Sequence, residues 1–174
     1  MYKYLALTVV FGGMALVGCN HDTTVATGPN GEKVTADQNG KSVTFDDGKG
    51  HKMTSSAGQV SEADLGVPYY PGSSDIENGG VKMDSPEGTS VSSTRTTGDD
   101  VAKVLDFYKS ELEKAGFKVG GSMSSGDFGS VSGQKSENDV VSVGVTVDKD
   151  KKQTSITITH VVKNASASPS APTQ

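Results

Sequence analysis

Gly98-Asp-Asp-Val-Ala-Lys-Val-Leu-Asp-Phe-Tyr-Lys-Ser-Glu-Leu-Glu-Lys-Ala-Gly116 is the stretch on which the reading of this chain turns. Val101, Val104, Leu105, Tyr108, Leu112 and Ala115 recur at helical spacing and draw one apolar stripe. Lys103, Asp106, Lys109, Glu111, Glu113 and Lys114 fall on the opposite side. Thr97 or Asp99 can cap the start, and Asp99 and Asp100 occupy a first turn that favours negative charge. Gly116 is a natural residue to end on. The spacing predicts a helix over 98–115 with one face to bury.

Strand patterns flank this helix. Before it, 81–84 and 89–96 read as two strands joined by Ser85-Pro86-Glu87-Gly88, whose Pro and Gly positions suit a type I turn. Val67-Pro68-Tyr69-Tyr70-Pro71-Gly72 precedes them, and two prolines there exclude a central strand. After the helix, strands are expected over 117–123, 128–134, 140–148 and 154–162. The clearest is 140–148, where Val141, Val143, Val145 and Val147 alternate with Ser142, Gly144 and Thr146.

Further upstream the chain repeats itself. Gly31-Glu-Lys-Val34-Thr35, Gly40-Lys-Ser-Val43-Thr44 and Gly50-His-Lys-Met53-Thr54 share the pattern G-x-x-[VM]-T, with Asn-Gly and Asp-Gly turn signals between copies. Three short strands in a meander follow, with Val34, Ala36, Val43, Phe45 and Met53 as the inward residues. So few apolar residues make it marginal alone. It is expected to lean on the following domain or to form a stalk. The fold class read from the sequence is therefore α+β: one amphipathic helix packed on an antiparallel sheet, preceded by a small Gly-spaced β-meander.

The N-terminus specifies an address. Lys3 and the apolar run Leu5–Ala15 have the form of a secretory signal, too short for a bilayer span of about 20 residues. Leu16-Val17-Gly18-Cys19 resembles the lipobox of bacterial lipoproteins. That resemblance implies S-diacylglycerol and N-acyl groups on Cys19 after cleavage behind Gly18. Each buried CH₂ contributes about 0.8 kcal/mol, so two or more chains hold a protein on a membrane. Asn20 rather than Asp after the cysteine favours the outer membrane in a diderm host; in a monoderm one the domain sits on the outer face of the plasma membrane. Cys19 is the chain's one cysteine, so once acylated it leaves no thiol for a disulfide, a metal or a nucleophile. The expected division is a cleaved leader over 1–18, a lipidated tether over 19–26, the β-repeat over 27–60, the α+β domain over 65–163 and a low-complexity, disordered tail over 164–174.

A second resemblance covers roughly 27–162. Val67-Pro-x-Tyr-Pro-Gly72, Thr96-x-x-Asp99-x-Val101, Phe107-Tyr108 and Leu112-x-x-x-Gly116-Phe117 are similar to a family of uncharacterised secreted bacterial lipoproteins, some with Gly-spaced strands ahead of the same entry. It implies fold and location, and no activity.

Charge excludes one class. The 16 Lys and Arg against 21 Asp and Glu give −5, one unit more negative once Lys3 leaves with the leader, and no basic stripe is available to neutralise phosphates of nucleic acid. Catalytic patterns dissolve on inspection. Gly129-Ser-Val-Ser-Gly133 imitates a nucleophile elbow but has Val131 at the nucleophile position. Gly120–Gly126 is glycine-rich without the Lys and helix that a phosphate cradle needs. Asp99 and Asp100 diverge by about 100° on a helix. Asp46-Asp47-Gly48 lacks a Ca²⁺-loop spacing, and His21 and His51 have no second His at ligand distance. The expectation is a chain with no catalytic set, no metal and no cofactor. It would be a non-enzymatic envelope module contacting a partner protein or cell-wall component through Tyr69, Tyr70 and Phe107. Two alternatives are a hydrolase centred on His160 and a purely structural spacer.

Overall fold

The structure is a computed structural model that describes residues 23–37 and 39–164. The leader, Cys19, His21 and the tail from 165 onward lie outside the described residues. Ten strands and two helices follow in order: β1 (Thr23–Thr27), β2 (Lys33–Ala36), β3 (Ser42–Asp46), β4 (Lys52–Gly58), α1 (Glu62–Leu65), β5 (Ser74–Ser85), β6 (Gly88–Thr97), α2 (Val101–Lys114), β7 (Lys118–Ser125), β8 (Phe128–Ser136), β9 (Asp139–Asp148) and β10 (Gln153–Lys163). All ten strands join one antiparallel sheet in the order β1-β2-β3-β4-β5-β6-β10-β9-β8-β7.

This overturns the α+β expectation. The described residues are predominantly antiparallel sheet, with two short helices and no separate meander. The physical reason is the splice between β4 and β5, where Ala57 pairs with Val81 and Gly58 with Gly80. At that point a Cβ on Gly80 would stand 2.1 Å from the Gly58 carbonyl oxygen, so only glycine lets the backbones meet. With the splice made, the repeat strands extend the main sheet. The three leading glycines of the repeat all take positive φ, at 92°, 65° and 100° for Gly31, Gly40 and Gly50. Each copy is therefore one left-handed turn residue followed by one strand.

The expected helix forms as α2 and keeps its stripe: Val101, Val104, Leu105, Tyr108 and Leu112 are buried. Its cap is Asp100, whose carboxylate accepts the Lys103 N–H at 2.8 Å. At the other end the Phe117 N–H donates to the Leu112 carbonyl and the Gly116 N–H to the Glu113 carbonyl, with Gly116 at φ 82°. That double closure is a Schellman motif. α2 carries the chain from β6 across β10, β9 and β8 to the far edge, and packs on β7, β8 and β9.

What seats the helix is a pair of glycines on β8. A Cβ on Gly129 would lie 2.4 Å from Leu105 Cδ1 and 2.7 Å from Val101 Cγ1; one on Gly133 would lie 2.9 Å from Phe117 Cβ and 3.3 Å from Leu112 Cδ2. Val131 between them is 1% exposed and pairs with Val143 of β9. Val143, Val145, Ile156 and Ile158 complete the floor. The Gly-x-Val-x-Gly stretch that imitates a nucleophile elbow is thus a helix seat. Gly129→Ala should cost about 1–3 kcal/mol through overpacking, read as a lower urea midpoint. Gly144→Ala, on the open face with nothing within 4 Å of its Cβ position, should leave the midpoint nearly unchanged.

Candidate functional site

One recess lies where β5 leaves its partner. Pairing of β5 with β6 skips between Asp75 and Gly80, and Asn78 in this bulge takes φ 56°. β4 ends at Gly58, so the first half of β5 has no neighbour on that side. The result is an open cleft of about 260 Å³, bounded by Gln59, Val60, Tyr69, Asp75, Glu77 and Asn78 with the Gly79–Gly80 backbone as floor.

One cation holds this region together. Arg95 of β6 donates from Nε to Ser73 Oγ at 2.7 Å and from Nη2 to the Ser73 carbonyl at 2.8 Å. It also pairs with the Asp75 carboxylate, and its guanidinium carbon sits 4.1 Å from the Tyr69 ring centroid. The side chain is 11% exposed. Five planar N–H donors and a flat face make such an assembly possible; a lysine offers neither. Tyr69 is fixed again by its hydroxyl, which donates to the Val60 carbonyl, and by its N–H, which donates to Glu62 Oε1 at 2.7 Å. Sequence reasoning missed Arg95, though it is the chain's single arginine and the Asn78-Gly79-Gly80 run marks the bulge beside it.

The three residues expected to form an interaction surface do not make an exposed patch. Tyr70 is 5% exposed and its hydroxyl donates to Asp99 Oδ2 at 2.7 Å. Burial, then the Asp99 bond, pushes the Tyr70 phenol up to about 12. The same bond, followed by Lys103, lowers the Asp99 carboxyl. Phe107 meets Tyr70 edge-on at 5.1 Å and Tyr108 likewise. Tyr69 and Phe107 are half-buried. Tyr70 and Phe107, with Pro71, Asp99 and Lys103, do line a second, shallower groove. Behind them the Tyr108 hydroxyl is buried with no hydrogen-bond partner among the described residues. A buried unpaired donor is a cost, so Tyr108→Phe should hold or raise the thermal midpoint; a drop of several degrees would show that the hydroxyl has a partner.

His160 stands on β10, 13% exposed. Nδ1 lies 2.7 Å from the Asp64 carbonyl oxygen and Nε2 lies 2.9 Å from Asp139 Oδ1. Both partners are acceptors, so the ring joins α1 to the start of β9 with both nitrogens engaged and no hydroxyl at either. The alternative hydrolase arrangement would need a free ring nitrogen facing a nucleophile. Among the described residues no group of three or more His, Cys, Asp or Glu could hold a metal ion.

The Asp46-Asp47-Gly48 turn is closed on itself. Asp47 accepts from the Lys49 and His51 N–H groups and lies 2.7 Å from His51 Nδ1. The His51 bond, then the Lys49 amide, takes the Asp47 carboxyl down to about 2, and Asp47 raises the His51 imidazole. A raised histidine stabilises the fold fully below its ordinary 6.5, and that gain is lost as pH rises through the folded value. A lowered carboxyl contributes above its ordinary 3.8 and fades as pH falls toward 2. The pair is therefore strongest between about pH 4 and 6.5. An NMR titration should place His51 above 6.5, and Asp47→Asn should return it there.

The fold defines a class: an antiparallel sheet with the 14-residue α2 laid across it between β6 and a far edge strand, and an open cleft at a β-bulge. A family model described as START domain-like matches residues 77–168, and the chain belongs to that family. The match begins inside the β5 bulge and runs through β10, so β1–β4 stand outside it. No curated protein and no solved structure matches the chain.

Proposed function

We propose that this chain is a membrane-anchored cell-envelope lipoprotein that works as a non-enzymatic binding module. The observation that carries the binding reading is the β5 cleft: an open recess of mixed polar and apolar lining over a rigidly held tyrosine. Its side chains offer carboxylates at Asp75 and Glu77 and amides at Gln59 and Asn78. Those groups suit a ligand rich in hydroxyls and amides, the chemistry of a cell-wall glycan or peptide. The interior offers no competing place over β8, because α2 rests directly on Gly129 and Gly133.

The anchoring reading rests on Leu16-Val-Gly-Cys19 and on the resemblance of Val67-Pro-x-Tyr-Pro-Gly72 and its companions to secreted bacterial lipoproteins. Cys19 carries the lipid, and Asn20 after it directs the protein to the outer membrane of a diderm host or leaves it on the outer face of a monoderm plasma membrane. The cleft then faces envelope components and needs no cofactor.

Two measurements test these readings separately. Cys19→Ser should abolish incorporation of labelled fatty acid and move the protein out of the membrane fraction; unchanged labelling would remove the anchor. Soluble muropeptide added to the labelled protein should shift the amide resonances of Asn78, Gly79 and Gly80 ahead of all others. Glu77→Ala should weaken that response about tenfold, a change equal to about 1.4 kcal/mol. Resonances of the Tyr70–Phe107 groove moving instead would relocate the site.

A further inference from the structure

The sheet segregates its charge. In antiparallel pairs, directly opposed residues point to the same face, so the register places Val34, Phe45 and Met53 in one row. Ala36, Val43, Ser55 and Met83 make the next row, continued by Ser90 and Val161. Ala57 and Val81 make a third. All lie on the face turned away from the helices. Lys33, Asp46 and Lys52 share a row on the opposite face, where Lys52 pairs with Asp46 at 3.3 Å and Lys82 reaches Asp64 of α1. Across β2–β4 the open face therefore carries no charge at all.

Its apolar side chains are accessible: Val43 is 42% exposed, Phe45 41%, Met53 44%, Val81 38% and Met83 39%. Across β2 to β5 this patch spans about 14 Å, at about 4.8 Å per strand. A contiguous uncharged patch of this kind marks an interaction surface.

Two further observations say what covers it. Thr23, the first residue of β1, pairs with Ala36, in the very row that holds Val43 and Met83. Cys19 is four residues before Thr23, so a lipid there is within about 14 Å of the patch even with the chain fully extended. Charge agrees: residues 23–58 hold four lysines and four acids, whereas 59–164 carry an excess of five acids. Anionic lipid repels the second part and not the first.

We propose that the uncharged face of β2–β5 lies on the bilayer to which Cys19 anchors the chain, so that the protein rests on the membrane by its first strands and holds the cleft and α2 out from it. The inference rests on the anchor proposed above. The patch binds weakly alone; the lipid makes the contact intramolecular, and the contact in turn sets the orientation of the anchored sheet.

The test uses the full lipidated protein in vesicles of phosphatidylethanolamine and phosphatidylglycerol containing doxyl-labelled lipid. A thiol-reactive fluorophore is placed by Phe45→Cys or Met53→Cys, and for comparison by Lys151→Cys on the β9–β10 turn. All three positions are exposed, so the fold tolerates them. The expected result is quenching several-fold stronger at 45 and 53 than at 151. Equal quenching on protein that remains membrane-bound overturns the docking face while leaving the anchor intact. Shielding at 45 without doxyl quenching, accompanied by crosslinks between two copies through 45, overturns it in favour of a sheet-to-sheet dimer. Uptake of the dye by the unmodified chain shows a free Cys19 thiol, which overturns the anchor and this placement with it.

Discussion

The close approach of α2 to β8 is the constraint from which the rest of the architecture follows. Gly129 and Gly133 contribute no side chain of their own, so Val101, Leu105 and Leu112 of α2 rest directly on the β8 backbone at those points. A helix held that near can cover only the strands beneath it, and α2 packs on β7, β8 and β9. The remaining strands of that side fall to shorter devices: α1, the Val67–Tyr70 segment and the His160 bridge between Asp64 and Asp139. The opposite side of the sheet has no helix on it among the described residues. One-sided cover in a ten-stranded sheet leaves a large open face whose composition must be tolerable to whatever meets it.

That composition changes along the sheet. Over β6, β10 and β9 the open face is lined by hydroxyls, with Ser92 and Thr94 at 3.2 Å from Thr159 and Thr157. Over β2–β5 it turns apolar. The transition falls between β5 and β6, where Val81 opposes Ser92 and Met83 opposes Ser90. The bulge and the cleft have their own cause at the Gly58–Gly80 splice: the main sheet accepts four additional strands along only part of β5. Where β4 runs, the apolar rows continue; where it stops, Ile76 to Gly79 pair with neither neighbour and form the recess that Arg95 and Tyr69 brace.

Much of the local structure is legible in the chain. The α2 stripe, the Gly116 terminus, the valine alternation of β9 and the glycine-led repeat all form as their spacing predicts, because each depends on neighbours within a few residues. The candidate site was far less legible. Arg95 is separated from its partners Ser73, Asp75 and Tyr69 by the whole length of the β5–β6 hairpin, and only its register brings them together. Tyr70 reads equally well as a surface aromatic or as core, since an aromatic on a short extended segment has no periodicity to say which way it points; packing against Phe107 and Tyr108 and the bond to Asp99 decide it.

The repeat marks the boundary most sharply. Alternation in Val34–Thr35, Val43–Thr44 and Met53–Thr54 determined that one face would be apolar and the other polar, and the glycines determined where each strand would turn. Neither could say which face would be covered. A two-residue period is symmetric with respect to inside and outside, so the meander's apolar residues were expected to turn inward. The answer came from a contact between segments more than twenty residues apart in sequence: Gly58 on Gly80 sets the register of the added strands against a sheet whose covered side α2 has already chosen. Sequence alone set the periods, the turns and the Gly116 terminus, which are local, while the helix cap fell on Asp100 and not on Thr97 or Asp99. Tertiary structure decided which side faces the protein and which faces outward, because that depends on where the helix lies.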